Sequence, residues 1–145
     1  MNEATRRVPD CEALADRGAA TPAGATVLLV DDEAATRRLF RLALERRGFT
    51  VLEAGGGAEA LRAVVRHPGA IDLLATDVDL PELDGCALAR QLCLMRPGLR
   101  VLYLSGYGKE CLSERGAEES AAFLQKPFAH EALERKVREL LGRAA

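Results

Sequence analysis

Val27-Leu28-Leu29-Val30-Asp31-Asp32-Glu33 is an unbroken apolar run, half of it β-branched, that stops against three consecutive acids. Such a run reads as a strand buried on both faces, the kind found in parallel sheets. The same arrangement recurs along the chain. Ile71 to Thr76 ends at Asp77, Arg100 to Leu104 at Ser105, and Ala121 to Gln125 at Lys126-Pro127. Phe49 to Glu53 supplies one more strand.

Helical spacing fills the intervals. Ala34 to Arg47 carries Ala35, Leu39, Leu42 and Ala43 as an apolar stripe, widened by Phe40 and Leu44, with Gly48 as its stop. Ala58 to Arg66 is closed by His67-Pro68-Gly69, and Cys86 to Met95 by Arg96-Pro97-Gly98. A weak helix is expected near Lys109 to Arg115. The last runs from Ala129 to Leu141, with Ala132, Leu133, Val137, Leu140 and Leu141 turned to the sheet. Five strand–helix repeats imply an α/β fold: a doubly wound, five-stranded parallel sheet with five helices. Ligands of such sheets bind beyond the carboxyl ends of the strands, where strand order switches. Asp31, Asp32, Asp77, Ser105 and Lys126 all fall at such ends.

The totals bound the reading. The chain has 145 residues, 48% of them hydrophobic, and a net charge of -2, so it offers no electrostatic case for nucleic acid. One domain is expected over 25–143, after a disordered extension over 1–24. No apolar run approaches the roughly 20 residues that cross a bilayer, and the N-terminus lacks a signal peptide's apolar stretch, so a cytoplasmic protein without membrane contact is expected. The four cysteines show no metal-like spacing, and Cys86 and Cys93 read as small hydrophobes on one helix face.

Gathered carboxylates repel one another, and a hard cation with oxygen ligands, such as Mg²⁺, relieves that repulsion. A carboxylate at Asp77 can attack phosphorus and form an acyl phosphate. Lys126 would balance charge on the phosphoryl oxygens, and Ser105 would add a hydroxyl hydrogen bond. Each piece also has a structural reading: Asp31-Asp32 as a helix cap, Asp77 as a turn former, Ser105 and Lys126 as ordinary loop residues.

Together these motifs resemble the receiver domain of bacterial two-component response regulators, over about Thr26 to Gly142. Val27 to Glu33 is similar to the family's first strand and acidic pair. Thr76-Asp77-Val78-Asp79-Leu80-Pro81-Glu82-Leu83-Asp84-Gly85 is similar to its phosphoacceptor loop. Leu104-Ser105-Gly106-Tyr107 matches its switch hydroxyl, and Gln125-Lys126-Pro127-Phe128 its lysine-proline signature. The resemblance implies a flavodoxin-like strand order 2-1-3-4-5, with Asp77 as the phosphorylated residue. It implies Mg²⁺ held by Asp32, Asp77 and the backbone carbonyl of Asp79, with Asp31 acting through water. It also implies a cis Lys126-Pro127 peptide and a switch made by Ser105 and the aromatic Phe123. The donor would be a phosphohistidine on a histidine kinase or phosphotransfer protein.

Two departures stand out. Phe123 lacks the hydroxyl of the tyrosine frequent at the aromatic switch position. By the resemblance Asp79 places an acid where water would approach the acyl phosphate, with Tyr107 as a shield on the same route; the pair would alter its lifetime or, if Asp79 points to solvent, leave it unchanged.

Gly55-Gly56-Gly57 fits neither phosphate-loop pattern and reads as a turn. His67 and His130 lack metal-ligand spacing, and neither looks like a phosphodonor. Arg37, Arg38, Arg41, Arg46 and Arg47 read as a solvated helix face or, by the resemblance, as part of a donor-docking surface. About four residues follow Leu141, so no DNA-binding output is expected. The expectation is a single-domain response regulator, a switch for a downstream protein target and not an enzyme in its own right. Its last helix has a charged outer face that could serve a homodimer. The alternatives are a receiver module of a hybrid histidine kinase, or a phosphorylation-independent scaffold with the same fold.

Overall fold

A computed structural model describes residues 24–106, 108–114, 116–117 and 121–142. The extension expected over 1–24 lies outside them, except for Gly24. In chain order the elements are β1 (Thr26–Val30), α1 (Ala34–Arg46), β2 (Thr50–Ala54), α2 (Gly57–Arg66), β3 (Leu73–Asp77), α3 (Gly85–Met95), β4 (Arg100–Ser105), α4 (Lys109–Glu114), β5 (Ala122–Gln125) and α5 (His130–Gly142). The five strands form one parallel sheet in the order β2-β1-β3-β4-β5. This is the expected doubly wound, flavodoxin-like topology.

Side-chain alternation along the strands divides the core in two. Leu28, Val30, Leu74 and Tyr103 pack with Ala60 and Val64 of α2, Leu88 and Leu92 of α3, and Leu112 of α4. Val27, Leu29, Leu73, Leu102 and Leu104 pack with Phe40 and Leu44 of α1 and Leu133 and Val137 of α5. β1 and β3 are buried along their whole length, which explains why their sequences are continuous apolar runs. Cys86 is buried among the apolar side chains, as its spacing suggested.

β3 begins at Leu73, two residues later than expected, and Asp72 just before it already bonds to β1. Its carboxylate accepts the Thr26 N–H at 2.8 Å, while its own N–H donates to the Thr26 carbonyl at 2.8 Å. The strand then continues through Asp77, which pairs with Leu104.

The apolar stripe expected on α1 is corrected. Leu39 and Leu42 are 52% and 45% exposed, Ala35 is exposed, and Phe40, Ala43 and Leu44 are buried. Two arginines account for this rotation. Arg37 and Arg41 share the inward quadrant with Phe40 and Leu44, and both pair with Glu53 of β2. A third arginine, Arg47, donates to the buried Glu134 of α5 at 2.8 Å, and His130 Nδ1 lies 2.8 Å from the same carboxylate. Burial pushes the Glu134 carboxyl up, but His130 and Arg47 together outweigh burial and hold it below the usual glutamate range. Its stabilising contribution is therefore present at neutral pH and lost as pH falls through the folded-state value.

Arg96, just past α3, holds the end of α2. The carbonyl of Val64 lacks a helical partner because the residue four positions on is Pro68, which has no N–H. The Arg96 guanidinium supplies the donor at 3.0 Å, and also bonds the carbonyls of His67 at 2.8 Å and Gly69 at 2.7 Å. Arg96→Ala should cost about 2–3 kcal/mol, the range for hydrogen bonds from a charged group. Urea unfolding should show this as a lower midpoint with an unchanged slope.

Candidate functional site

The register of the sheet brings the acids together. Val30 of β1 pairs with Thr76 of β3, so Asp31 and Asp77 are the next residues on neighbouring strands. Asp31 is 1% exposed and Asp77 6%, whereas Asp32 stands at the exposed rim. All three offer carboxylate oxygens within 4.8 Å of one another. Neither Asp31 nor Asp32 caps α1; Glu33 occupies that position and makes no side-chain cap bond. Asp31 instead accepts the Glu33 N–H on Oδ1 at 2.9 Å and donates its own N–H to the Ala54 carbonyl at 3.1 Å. Its Oδ2 is buried and has no hydrogen-bond partner.

Lys126 enters from the end of β5. Its Nζ lies 3.1 Å from Asp77 Oδ2 and 3.9 Å from Asp31 Oδ2. Its N–H donates to the Ser105 carbonyl at 2.7 Å, tying the two loops together. The Lys126-Pro127 peptide is cis, and the following Phe128 stacks on Phe40 of α1 with ring centroids 5.2 Å apart. Ser105 is fully buried at the last position of β4, one residue beyond the partner of Asp77. Phe123, in β5, is half-buried against the α2–α3–α4 side of the core. Asp79 is exposed, and its backbone N–H is hydrogen-bonded to the Asp77 carboxylate. Tyr107 lies outside the described residues.

Burial is the main influence on both inner carboxylates. It pushes Asp77 above the usual aspartate range; hydrogen bonding and charge from Lys126 oppose this, and the charge on Asp31 adds to it. Asp31 is raised for the same first reason, opposed by the Glu33 N–H and by Lys126, and reinforced by Asp32 and Glu33. One ammonium among so many acids leaves the site short of positive charge. An all-oxygen donor set with one orphaned, buried carboxylate oxygen fits a hard divalent cation.

Gly85 and the arginine–glutamate contacts behind the site were not singled out from the sequence as parts of it. The first turn of α3 presses on the back of Asp77: a Cβ at Gly85 would collide with the Asp77 carbonyl oxygen and crowd Val78. The Gly85 N–H donates to the Val78 carbonyl at 2.9 Å, and Asp84 caps the helix by accepting the Ala87 N–H at 2.8 Å. The Asp84-Gly85 pair after a proline loop was the available signal, a capping residue beside the one residue that permits close approach. The three glycines 55–57 turn β2 into α2, as expected. Gly57, at the start of that helix, lies against Leu83 of the β3–α3 loop.

The sequence matches the family model of the response regulator receiver domain over residues 27–138. It is 40% identical over 118 residues to the sensor kinase CckA of Brucella abortus (strain 2308), covering 81% of this chain but 12% of that protein. It is 32% identical over 116 residues to the response regulator receiver protein CpdR of the same strain, covering 79% of this chain and 95% of CpdR. Among solved structures, the receiver domain of the hybrid histidine kinase CckA superposes with a TM-score of 0.69 at 34% identity, covering 81% of this chain and 99% of that one.

Two outcomes follow from the geometry. A carboxyl whose folded pKa is raised favours folding only below its ordinary range and opposes it as pH rises through the raised value. Asp77→Asn should therefore stabilise the fold by about 1 kcal/mol at pH 7.5, within the span of ordinary stabilising replacements. Urea melts should show the gain shrinking at pH 4.5, and Mg²⁺ should stabilise wild type more at pH 7.5 than at pH 4.5. Gly85→Ala should destabilise by about 3 kcal/mol, the upper part of the range for overpacking, and should weaken Mg²⁺ binding by displacing Asp77. Chemical denaturation and calorimetric titration measure these two effects.

Proposed function

The chain belongs to the response regulator receiver domain family, and we propose that it accepts a phosphoryl group on Asp77 in a Mg²⁺-dependent reaction and acts as a free-standing signalling switch. Receiver domains are phosphoacceptor modules that work with histidine kinases or phosphotransfer proteins. The observation that carries the assignment to Asp77 is its place as the inner carboxylate 3.1 Å from the Lys126 ammonium, backed by an unsatisfied Asp31 oxygen. Asp31, Asp32, Asp77 and the Asp79 carbonyl would hold the metal. Bound there, Mg²⁺ would neutralise charge on the phosphoryl oxygens and on the acids around them.

An Asp77 oxygen attacks phosphorus, the P–N bond of the donor phosphohistidine breaks, and an acyl phosphate forms. The imidazole leaves carrying the electron pair and takes a proton. Lys126, already hydrogen-bonded to Asp77, balances charge as it builds on the transferred oxygens. Ser105, at the end of the adjacent strand, donates its hydroxyl to the phosphoryl group. Ser105 and Phe123 would then change position together, shifting the population between two conformations and the surface shown to a downstream protein. The exposed face of α5, with Arg135, Arg138 and Glu139, is available for a homodimer. A DNA-binding output is not part of this reading. Among the described residues no helix is long and apolar enough to cross a membrane.

CpdR, matched over 95% of its length, supports the free-standing reading. The higher identity to CckA, a protein of which the chain spans only 12%, favours a second reading as the receiver module of a hybrid kinase. An immunoblot of the native protein from its host separates them by size.

Intact mass after incubation with acetyl phosphate tests the chemistry. Wild type with Mg²⁺ should gain one phosphoryl group, while Asp77→Asn, or wild type without the metal, should gain none. A folded, Mg²⁺-loaded wild type that gains nothing from acetyl phosphate or from a phosphorylated histidine kinase would instead be a scaffold that uses the fold without the switch.

A further inference from the structure

Asp31 is held at nearly every polar atom. Its N–H is bound by Ala54 of β2 and its Oδ1 by the Glu33 N–H. Its carbonyl oxygen accepts from Nη1 of Arg37 at 2.7 Å. What remains is Oδ2, buried, without a hydrogen bond, and 3.9 Å from the Lys126 ammonium that also bonds Asp77. The Arg37 guanidinium is anchored by its other edge, with Nε donating to Glu53 Oε1 at 2.8 Å. Glu53 sits on β2 opposite Leu29 of β1, so the fork spans from the sheet to the first residue beyond it.

We propose that Arg37 is a positioning residue for the acid site: its fork fixes the main chain of Asp31 against β2, so that Oδ2 is presented to the cation without Arg37 touching cation or phosphoryl group. The inference rests on the metal-dependent phosphoacceptor reading given above. The geometry requires a planar fork with two separated donors, one for a carbonyl and one for a carboxylate. A lysine ammonium keeps the charge but cannot reach both in the same way. Arg41 is a built-in comparison. It pairs with the other oxygen of the same Glu53 carboxylate and anchors the same helix to the same strand, yet no bond joins it to Asp31. Anchoring α1 and positioning Asp31 are therefore separable by substitution.

The test uses the full chain as wild type, Arg37→Gln, Arg37→Lys and Arg41→Gln, each held well below its melting temperature. Mg²⁺ affinity is measured by titration calorimetry, and exchange of the Glu33 amide by NMR without metal. Both Arg37 variants should weaken Mg²⁺ binding about tenfold or more, the usual effect of losing a partner behind a metal ligand. Both should also speed Glu33 amide exchange, because the Asp31 carboxylate that binds this amide loses its support. Arg41→Gln should lose stability while its Mg²⁺ affinity stays within about twofold and its Glu33 amide stays protected. Wild-type affinity in Arg37→Lys would show that charge alone suffices and overturn the proposal. Equal losses in Arg41→Gln would reduce Arg37 to a helix anchor, with the same result. If wild type itself binds no Mg²⁺, the phosphoacceptor reading falls, and the Glu33 amide still decides whether Arg37 positions Asp31.

Discussion

The rest of the site depends on a conflict between two buried carboxylates. Parallel pairing of β1 with β3 makes Asp31 and Asp77 neighbours, and the surrounding core removes most of the water that would screen them. The sheet can hold this arrangement because its centre is made of fully buried leucines and valines, each contributing about 1.5–3 kcal/mol on burial. Burial is the chief reason that both acids stand above their usual range; Lys126 opposes it, and the charge on Asp31 adds to the rise at Asp77. A domain built this way has an affinity for positive charge before any ligand arrives, because a cation would lower an energy that folding has already raised.

The scaffold around the conflict is stiff where it must be and linked to the helices where a signal could leave. Gly85 lets α3 start directly behind Asp77, so the acid cannot recoil from its neighbours in that direction. On the other side, the Lys126 N–H is bonded to the Ser105 carbonyl, and Phe128 stacks on Phe40. Four residues after Lys126, His130 begins α5, where the buried Glu134 carboxylate joins His130 and Arg47 into one contact with the end of α1. A shift of the Lys126 loop therefore reaches both helices of that face through direct contacts.

The strand ends were legible because a short apolar run followed at once by a polar residue has few readings, and four in succession have fewer. Element ends fell within one residue of expectation except at the start of β3, expected at Ile71 and found at Leu73; burial of β1 and β3 on both faces made their strand period plain. Helix rotation was harder to read. On α1, counting leucines put Leu39 and Leu42 inside, but charge pairing with Glu53 turned them out, and no propensity rule weighs an ion pair to another strand. Glu134 was overlooked for a related reason, as an acid inside an apolar stripe looks like an outer residue until Arg47 and His130 are seen around it. Arg96 looked like simple helix punctuation, whereas the missing N–H of Pro68 gives it carbonyls to bind.

The corrected rotation of α1 changes what a partner would meet there. Of the five arginines that made this helix look like a basic docking face, Arg37, Arg41 and Arg47 are committed to glutamates of β2 and α5. Arg38 and Arg46 remain exposed, beside the exposed Ala35, Leu39 and Leu42. The outer face is thus apolar at its centre with positive charge around it, a distribution in which contact area supplies affinity and charge sets orientation. The inner face of the same helix carries Arg37, which holds Asp31. One helix therefore exposes an apolar and basic face on one side and, through the bond from Arg37 to the Asp31 carbonyl, touches the acid site on the other, with the roughly 10–12 Å thickness of a helix between them.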